Sequence, residues 1–309
     1  MVIKPIHRFW AATLFAFAGT AQATPRIEHW VLDNGARVYF VETHDLPMVA
    51  AQAVFDAGSA RDPAGKSGLS LLVSGLLNEG SGALDADAIA LRFESLGAEF
   101  GASSDRDMAT ATLRSLSDRV LLHPAVDLFA QLLREPTFPA ANLERERGQA
   151  LLGLKIAAQS PGDVAGKAFY EQLFDQHPYA RPPQGTEAGI KAITRDDLVK
   201  FHQQHFTGRN AVLALIGDLT RSEARALSEL MVGKLPAGEA AAPLPRVADL
   251  VPHVNRAEKV IEHPSSQTHI LMGEAGISRN DPDYFPLFVG NYVLGGGGFV
   301  SRLTRAVRD

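Results

Sequence analysis

Gly68-Leu69-Ser70-Leu71-Leu72-Val73-Ser74-Gly75-Leu76-Leu77-Asn78-Glu79-Gly80-Ser81 is the stretch on which the reading of this chain turns. Its first ten residues open on a glycine, carry only Ser70 and Ser74 as polar side chains, and predict a helix over roughly Leu69 to Leu77. Upstream, Gly58 to Gly68 is a polar loop containing glycine and proline that leads into this helix. Ser70 and Ser74 lie on the helix without an acid or base beside them in sequence, which argues against a serine nucleophile.

Further outward, Leu32-Asp33-Asn34-Gly35-Ala36 sets an Asn-Gly turn between apolar-rich runs at Glu28 to Val31 and Arg37 to Val41, the signature of a hairpin. Met48 to Phe55 reads as a third strand. Asp85 to Leu96 is an amphipathic helix with Ile89, Leu91, Phe93 and Leu96 as its apolar members. Two strands follow, Glu99 to Ser103 and Met108 to Leu113. Helices are predicted at Ser117 to Arg134, Pro139 to Gln159 and Thr194 to His205, the last with Thr194 as N-cap; Pro161 starts a loop, after which the segment to Phe174 is again helical. Asn210 to Ile216 is a nearly continuous apolar strand, and Arg221 to Leu235 a helix.

Residues 237–256 are rich in alanine and proline near their start and read as a linker. Beyond them the order begins again, with strands at Lys259 to Glu262 and His269 to Gly273 and helices at Asp283 to Leu294 and Phe299 to Arg308. The repetition suggests an internal duplication. The second copy, residues 257–309, stops at Asp309 within a helical pattern and reads as truncated.

Composition narrows the function classes. The chain of 309 residues is 46% hydrophobic and 21% charged, with a net charge of -5, and shows no basic footprint for nucleic acid. It has no cysteine, which excludes thiolate metal sites and thiol nucleophiles. Lys4 and Arg8 precede the apolar run Phe9 to Ala18, and Ala21-Gln22-Ala23 fits the small-residue cleavage rule. Residues 1–23 therefore read as a secretory signal and residues 24–236 as the first domain. The apolar run is too short to span a bilayer comfortably, so no membrane span is expected after cleavage, and the expected location is a bacterial periplasm.

Several short motifs occur in one order along the chain. They are the turn at Leu32 to Val38, Gly58-Ser59-Ala60-Arg61, Gly68-Leu69-Ser70, and Leu77-Asn78-Glu79-Gly80-Ser81. After them come His177-Pro178-Tyr179 with Gly185-Thr186, Ile193 to Leu198, and Asn210-Ala211-Val212 through Gly217-Asp218. Asp281 to Tyr284, Leu294 to Gly298 and Ser301-Arg302-Leu303 follow in the second half. In this arrangement the chain resembles the insulinase (pitrilysin) family of zinc peptidases, also called the mitochondrial-processing-peptidase family. The resemblance implies an α+β fold: a mainly antiparallel sheet with helices packed against it, built twice, the second copy incomplete.

The resemblance also marks where chemistry would sit. Active members carry the inverted motif H-x-x-E-H on the helix quoted above. Laid on it, Leu71 and Gly75 stand where the histidines belong, and Ser74 where the water-activating glutamate belongs. The family's downstream glutamate ligand falls at Gly153. None of these side chains binds zinc or acts as a base at neutral pH. Glu144 and Glu146 lie about two turns earlier and read as solvated helix charges.

His202 and His205 have metal-like spacing but no third ligand, and His177 reads as a loop-fixing hydrogen-bonding residue. Gly295, Gly296, Gly297 and Gly298 lack the spacing of a phosphate loop, and the resemblance suggests a flexible loop gating peptide entry. Arg308 matches an arginine with which the family's non-zinc halves hold substrate.

The expectation is accordingly a catalytically inactive subunit that carries no zinc of its own. It would pair with a zinc-bearing insulinase-like homologue to form a peptide-degrading chamber. The alternatives are a periplasmic binding or scaffold protein without a protease role, or an active zinc metalloendopeptidase with unrecognised ligands.

Overall fold

The computed structural model describes residues 25–247 and 257–308; the signal reading over residues 1–23 and the linker residues 248–256 fall outside them. Contacts divide the chain into two units. One holds the described residues up to Ile156 together with Arg181–Leu244, and the other holds Ala157–Ala180 and Pro245–Asp309.

The first unit is built on a six-stranded sheet. Its strands are β1 (Glu28–Val31), β2 (Arg37–Glu42), β3 (Met48–Phe55), β6 (Glu99–Ser104), β7 (Ala109–Leu116) and β8 (Ala211–Gly217), with a small β4–β5 hairpin (Gly80–Ser81, Leu84–Asp85) outside it. The order is β1-β2-β8-β3-β7-β6. Every neighbouring pair is antiparallel except β2 and β8, which run parallel from Arg37↔Val212 to Glu42↔Gly217. The expected mainly antiparallel α+β architecture is therefore present.

Period-two burial explains the register. Val49, Ala51, Ala53 and Phe55 of β3 alternate inward with Ala109, Ala111 and Leu113 of β7 and with Ala211, Leu213 and Leu215 of β8. That buried face is covered by helices α1 (Leu69–Gly75), α3 (Arg119–Arg134), α7 (Arg195–His205) and α8 (Arg221–Ser228). Between them in sequence come α2 (Ala86–Ser95), α4 (Ala140–Ala157) and α6 (Glu187–Ala192), and, in the second unit, α5 (Pro161–Phe174). Leu72, Val73, Leu76, Leu122, Phe129, Leu133 and Leu198 are each at most 2% exposed. Such burial stabilises the fold by about 1.5–3 kcal/mol per large side chain.

The helix over Arg221 to Leu235 is shorter than the periodicity predicts. It runs to Ser228 and continues as a wider π-type turn over Glu229–Gly233.

In the second unit, α5 carries a run of ring contacts. Phe174 packs on Tyr170, His177 and Tyr179 with centroids 5.5–6.0 Å apart. The strands expected at Lys259 to Glu262 and His269 to Gly273 do not form; both stretches lack regular secondary structure. A β-strand is stabilised only through ladder bonds to a neighbour, and no described strand pairs with them. The expected helices shorten to α9 (Tyr284–Asn291) and α10 (Arg302–Arg308). Among the described residues, no helix is long and apolar enough to cross a membrane.

Candidate functional site

Helix α1 enters from Gly68, whose φ of 106° lies in the left-handed region that favours glycine. No N-cap side chain serves this helix. The carboxylate of Asp62 replaces it, accepting from Gly68 N at 2.7 Å and Ser70 N at 2.8 Å. Asp62 is 3% exposed, and burial pushes its carboxyl up to about 6, against the opposing pull of those hydrogen bonds and of Arg181. Arg181 also donates to the Asp62 main-chain carbonyl. Gly185 brings a second backbone against the same point: a Cβ there would lie 2.7 Å from Gly68 Cα and from Ser67 O. The sequence pair Gly185-Thr186 is thus the seat of the α1 N-terminus, with Thr186 capping α6 through Gly189 N at 3.1 Å.

The faces of α1 divide sharply. Leu69, Leu72 and Val73 are buried toward the core, and Ser70 and Ser74 are buried as well, Ser74 at 1% exposure. Leu71 is half-buried and Gly75 exposed, one turn apart on the open side. The structure therefore brings Leu71 and Gly75 to one face and turns Ser74 inward.

Helix α4 supplies the neighbouring surface. A Cβ on Gly75 would sit 3.6 Å from Glu146 Oε2. Glu146 is 22% exposed along its side chain and accepts from Arg145 at 3.3 Å, so it is a partly covered wall residue and not the solvated charge expected. Glu144 is 67% exposed and pairs with Arg147 at 3.1 Å, as a surface charge does. Arg145 also reaches Glu79 at 2.5 Å, and Asn142 Nδ2 donates to the same oxygen at 2.6 Å. Glu79 and Glu146 hold the Arg145 guanidinium firmly protonated. At Gly153 a Cβ would meet nothing within 4 Å.

These residues do not fit a zinc ion. Leu71, Gly75 and Gly153 present no donor atom, the Ser74 hydroxyl lies in the packed interior, and Glu79 and Glu146 are engaged by Arg145. Among the described residues, no three His, Cys, Asp or Glu side chains are grouped to hold a metal.

The remaining sequence candidates take local roles. His202 Nε2 donates to Leu133 O at 2.9 Å, and burial lowers its imidazole to about 4. Burial also lowers His205, so both are core residues of α7. His177 fixes its loop, with Nε2 donating to Pro245 O at 2.8 Å and Nδ1 accepting from Tyr179 N at 3.1 Å. Gly295 and Gly296 lie in a π-type turn over Tyr292–Gly296, closed by Gly297 N donating to Tyr292 O at 2.8 Å. The glycine run is thus a helical turn leading to a 3-10 turn at Gly298–Val300, where a flexible loop was expected. The Arg308 guanidinium sits 4.8 Å over the Phe299 ring.

Sequence reasoning missed Asp62, Arg181 and the grouping of Glu79, Asn142 and Arg145 with Glu146, which it read as a solvated charge. Asp62 lies six residues before Gly68, beyond the spacing of an N-cap, so only the three-dimensional loop shows its role.

Comparison with known proteins bears on the same segments. Residues 37–187 match the family model of the insulinases, peptidase family M16, and residues 192–309 match that of the peptidase M16 inactive domain. The chain is 39% identical to a peptidase M16 inactive domain from Pseudomonas fluorescens of known crystal structure. The two superpose with a TM-score of 0.81, over 92% of this chain and 68% of that one.

It is 29% identical over 282 residues to an uncharacterized zinc protease of Mycobacterium leprae, covering 90% of this chain and 62% of that protein. It is 25% identical over 285 residues to the mitochondrial-processing peptidase subunit beta of Lentinula edodes, covering 91% and 60%. The chain spans about three fifths of the length of these curated relatives. On these matches and this fold, the chain belongs to the insulinase family of peptidases, M16.

Proposed function

We propose that this chain is an insulinase-like peptidase homologue without catalytic zinc of its own, which pairs with a zinc-bearing homologue to enclose a peptide-degrading chamber. The observation that carries the reading is the open face of α1, where Leu71 and Gly75 leave no metal ligand although the helix is anchored by Asp62, Gly68 and Gly185. A wall held this firmly but stripped of donors supports a role in shaping a cavity. In this reading peptide hydrolysis is the partner's chemistry. The present chain contributes the α1–α4 surface and, through Arg308, a cation that holds substrate once it leaves the Phe299 ring. The leader-like residues 1–23 support a periplasmic location.

The test uses the full chain, alone and mixed with a zinc-bearing M16 homologue from the same genome. Alone it is expected to hold no stoichiometric zinc and to leave an unstructured peptide intact. Mixed, it is expected to raise cleavage above that of the homologue by itself. Stoichiometric zinc together with cleavage by the chain alone would overturn the reading.

A further inference from the structure

Far from α1, His44 lies in the turn between β2 and β3 with a carboxylate on each side of its ring. Nδ1 is 2.6 Å from Asp218 Oδ1, just past β8, and Nε2 is 3.0 Å from Glu42 Oε1 at the end of β2. Asp218 is itself fixed by Ser117, whose Oγ donates to Oδ2 at 2.7 Å from the end of β7. A carboxylate only accepts, so both contacts are hydrogen bonds only when both ring nitrogens carry a proton. Neutral imidazole must set one lone pair against a carboxylate oxygen.

We propose that His44 is a protonation-dependent clasp, which as imidazolium pins the 43–47 turn to the ends of β2 and β8 and as neutral imidazole releases it. The turn and the first residue of β3 meet the ends of β7 and β8 through main-chain bonds that such a clasp would protect. Thr43 N donates to Gly217 O at 3.1 Å, Ser117 N to Pro47 O at 3.0 Å, and Asp218 N to Met48 O at 2.9 Å.

The other charged groups around it do not replace its partners. Asp45 accepts from Thr43 Oγ1 at 3.2 Å. Glu223 of α8, whose charge also acts on Asp218, pairs with Arg119 of α3 at 2.5 Å. The contact with Asp218, and secondarily that with Glu42, raises the imidazole above its ordinary 6.5, while the hydrogen bond from Ser117, and after it that with His44, lowers the Asp218 carboxyl. A raised folded value means that the stabilisation is complete below 6.5 and is lost as pH rises through the folded value.

Side-chain nitrogen-proton NMR of the full protein tests this, with the His44 resonance identified by its loss in His44→Gln. His44 is expected to titrate above 6.5, and its midpoint to fall in Asp218→Asn and less in Glu42→Gln. Amide exchange at Thr43 and Asp218, corrected for intrinsic base catalysis, should quicken severalfold as pH rises through that midpoint, a rise absent from His44→Gln. Titration at or below 6.5, or exchange protection that does not follow the His44 midpoint, would overturn the proposal.

Discussion

Helices α1 and α9 are both short, glycine-associated and nearly free of charge, yet their surroundings differ completely. In α1, Leu69, Ser70, Leu72, Val73 and Ser74 are buried, whereas in α9 (Tyr284–Asn291) no residue is buried and Phe285 is 72% exposed. The difference lies beside the helices. Strands β3, β7 and β8 pair into a surface that receives α1, while the extended stretches before α9 have no described strand to pair with. Apolar composition makes a helix able to pack, and only a completed sheet turns that capacity into burial.

The contrast can be broken most directly by truncating apolar side chains in both helices. Leu72→Ala is expected to cost about 2–5 kcal/mol in chemical denaturation followed by circular dichroism. Phe288→Ala, at a residue 57% exposed, should change stability by less than about 0.5 kcal/mol. A comparable loss at Phe288 would abolish the distinction.

The next effect concerns how α1 is held. Because the Asp62 carboxyl is raised from 3.8 to about 6, its proton-linked stabilisation is present below 3.8 and is lost as pH rises through 6. The stability difference between the native chain and Asp62→Asn should therefore shift against the native chain by up to about 3 kcal/mol from pH 4 to pH 7. A difference independent of pH would remove Asp62 as the titrating cap.

A smaller loss, about 1–3 kcal/mol, is expected for Gly185→Ala, because φ is +80° and the new methyl would lie 2.7 Å from Gly68 Cα. Calorimetric melting measures it; an unchanged midpoint would show that the α1 seat can yield.

The smallest test addresses the open face. Leu71→His with Gly75→His places two imidazoles one helical turn apart, beside a position with only Glu146 Oε2 near. Stability of this variant should rise with added zinc, by RT ln(1 + [Zn]/Kd), while the native chain stays flat. A flat response from the double variant would mean that the face is not open to a metal.

The parts of this fold legible in sequence are those fixed by neighbours along the chain. The Asn34-Gly35 turn, the strand runs of β3, β7 and β8 and the capping threonine of α7 each depend on residues within a few positions. Thr194 and Asp197 even complete a capping box, with Thr194 N donating to Asp197 Oδ2 at 2.7 Å.

What stayed hidden depends on distant partners. The insertion of β8 between β2 and β3 follows from no local pattern, nor does the contact by which Arg147 reaches the Ile190 and Ile193 carbonyls around the end of α6. At the candidate site the donor-free positions were legible one residue at a time. The pairing of Glu146 with the Gly75 face needed two helices brought together.

The place of β8 also imposes an order of events on the growing chain. β2 finds its second neighbour only when Val212 arrives opposite Arg37, long after the β1–β2 hairpin has been made. Until then that hairpin is a two-stranded ribbon with an unpaired inner edge, and two-stranded ribbons are barely stable in water. The last strand of the sheet to be synthesised is thus a central one, and its docking converts two separate ribbons into one surface. Such long-range closure makes folding slow and leaves the β2 and β3 edges open to wrong partners until it is complete.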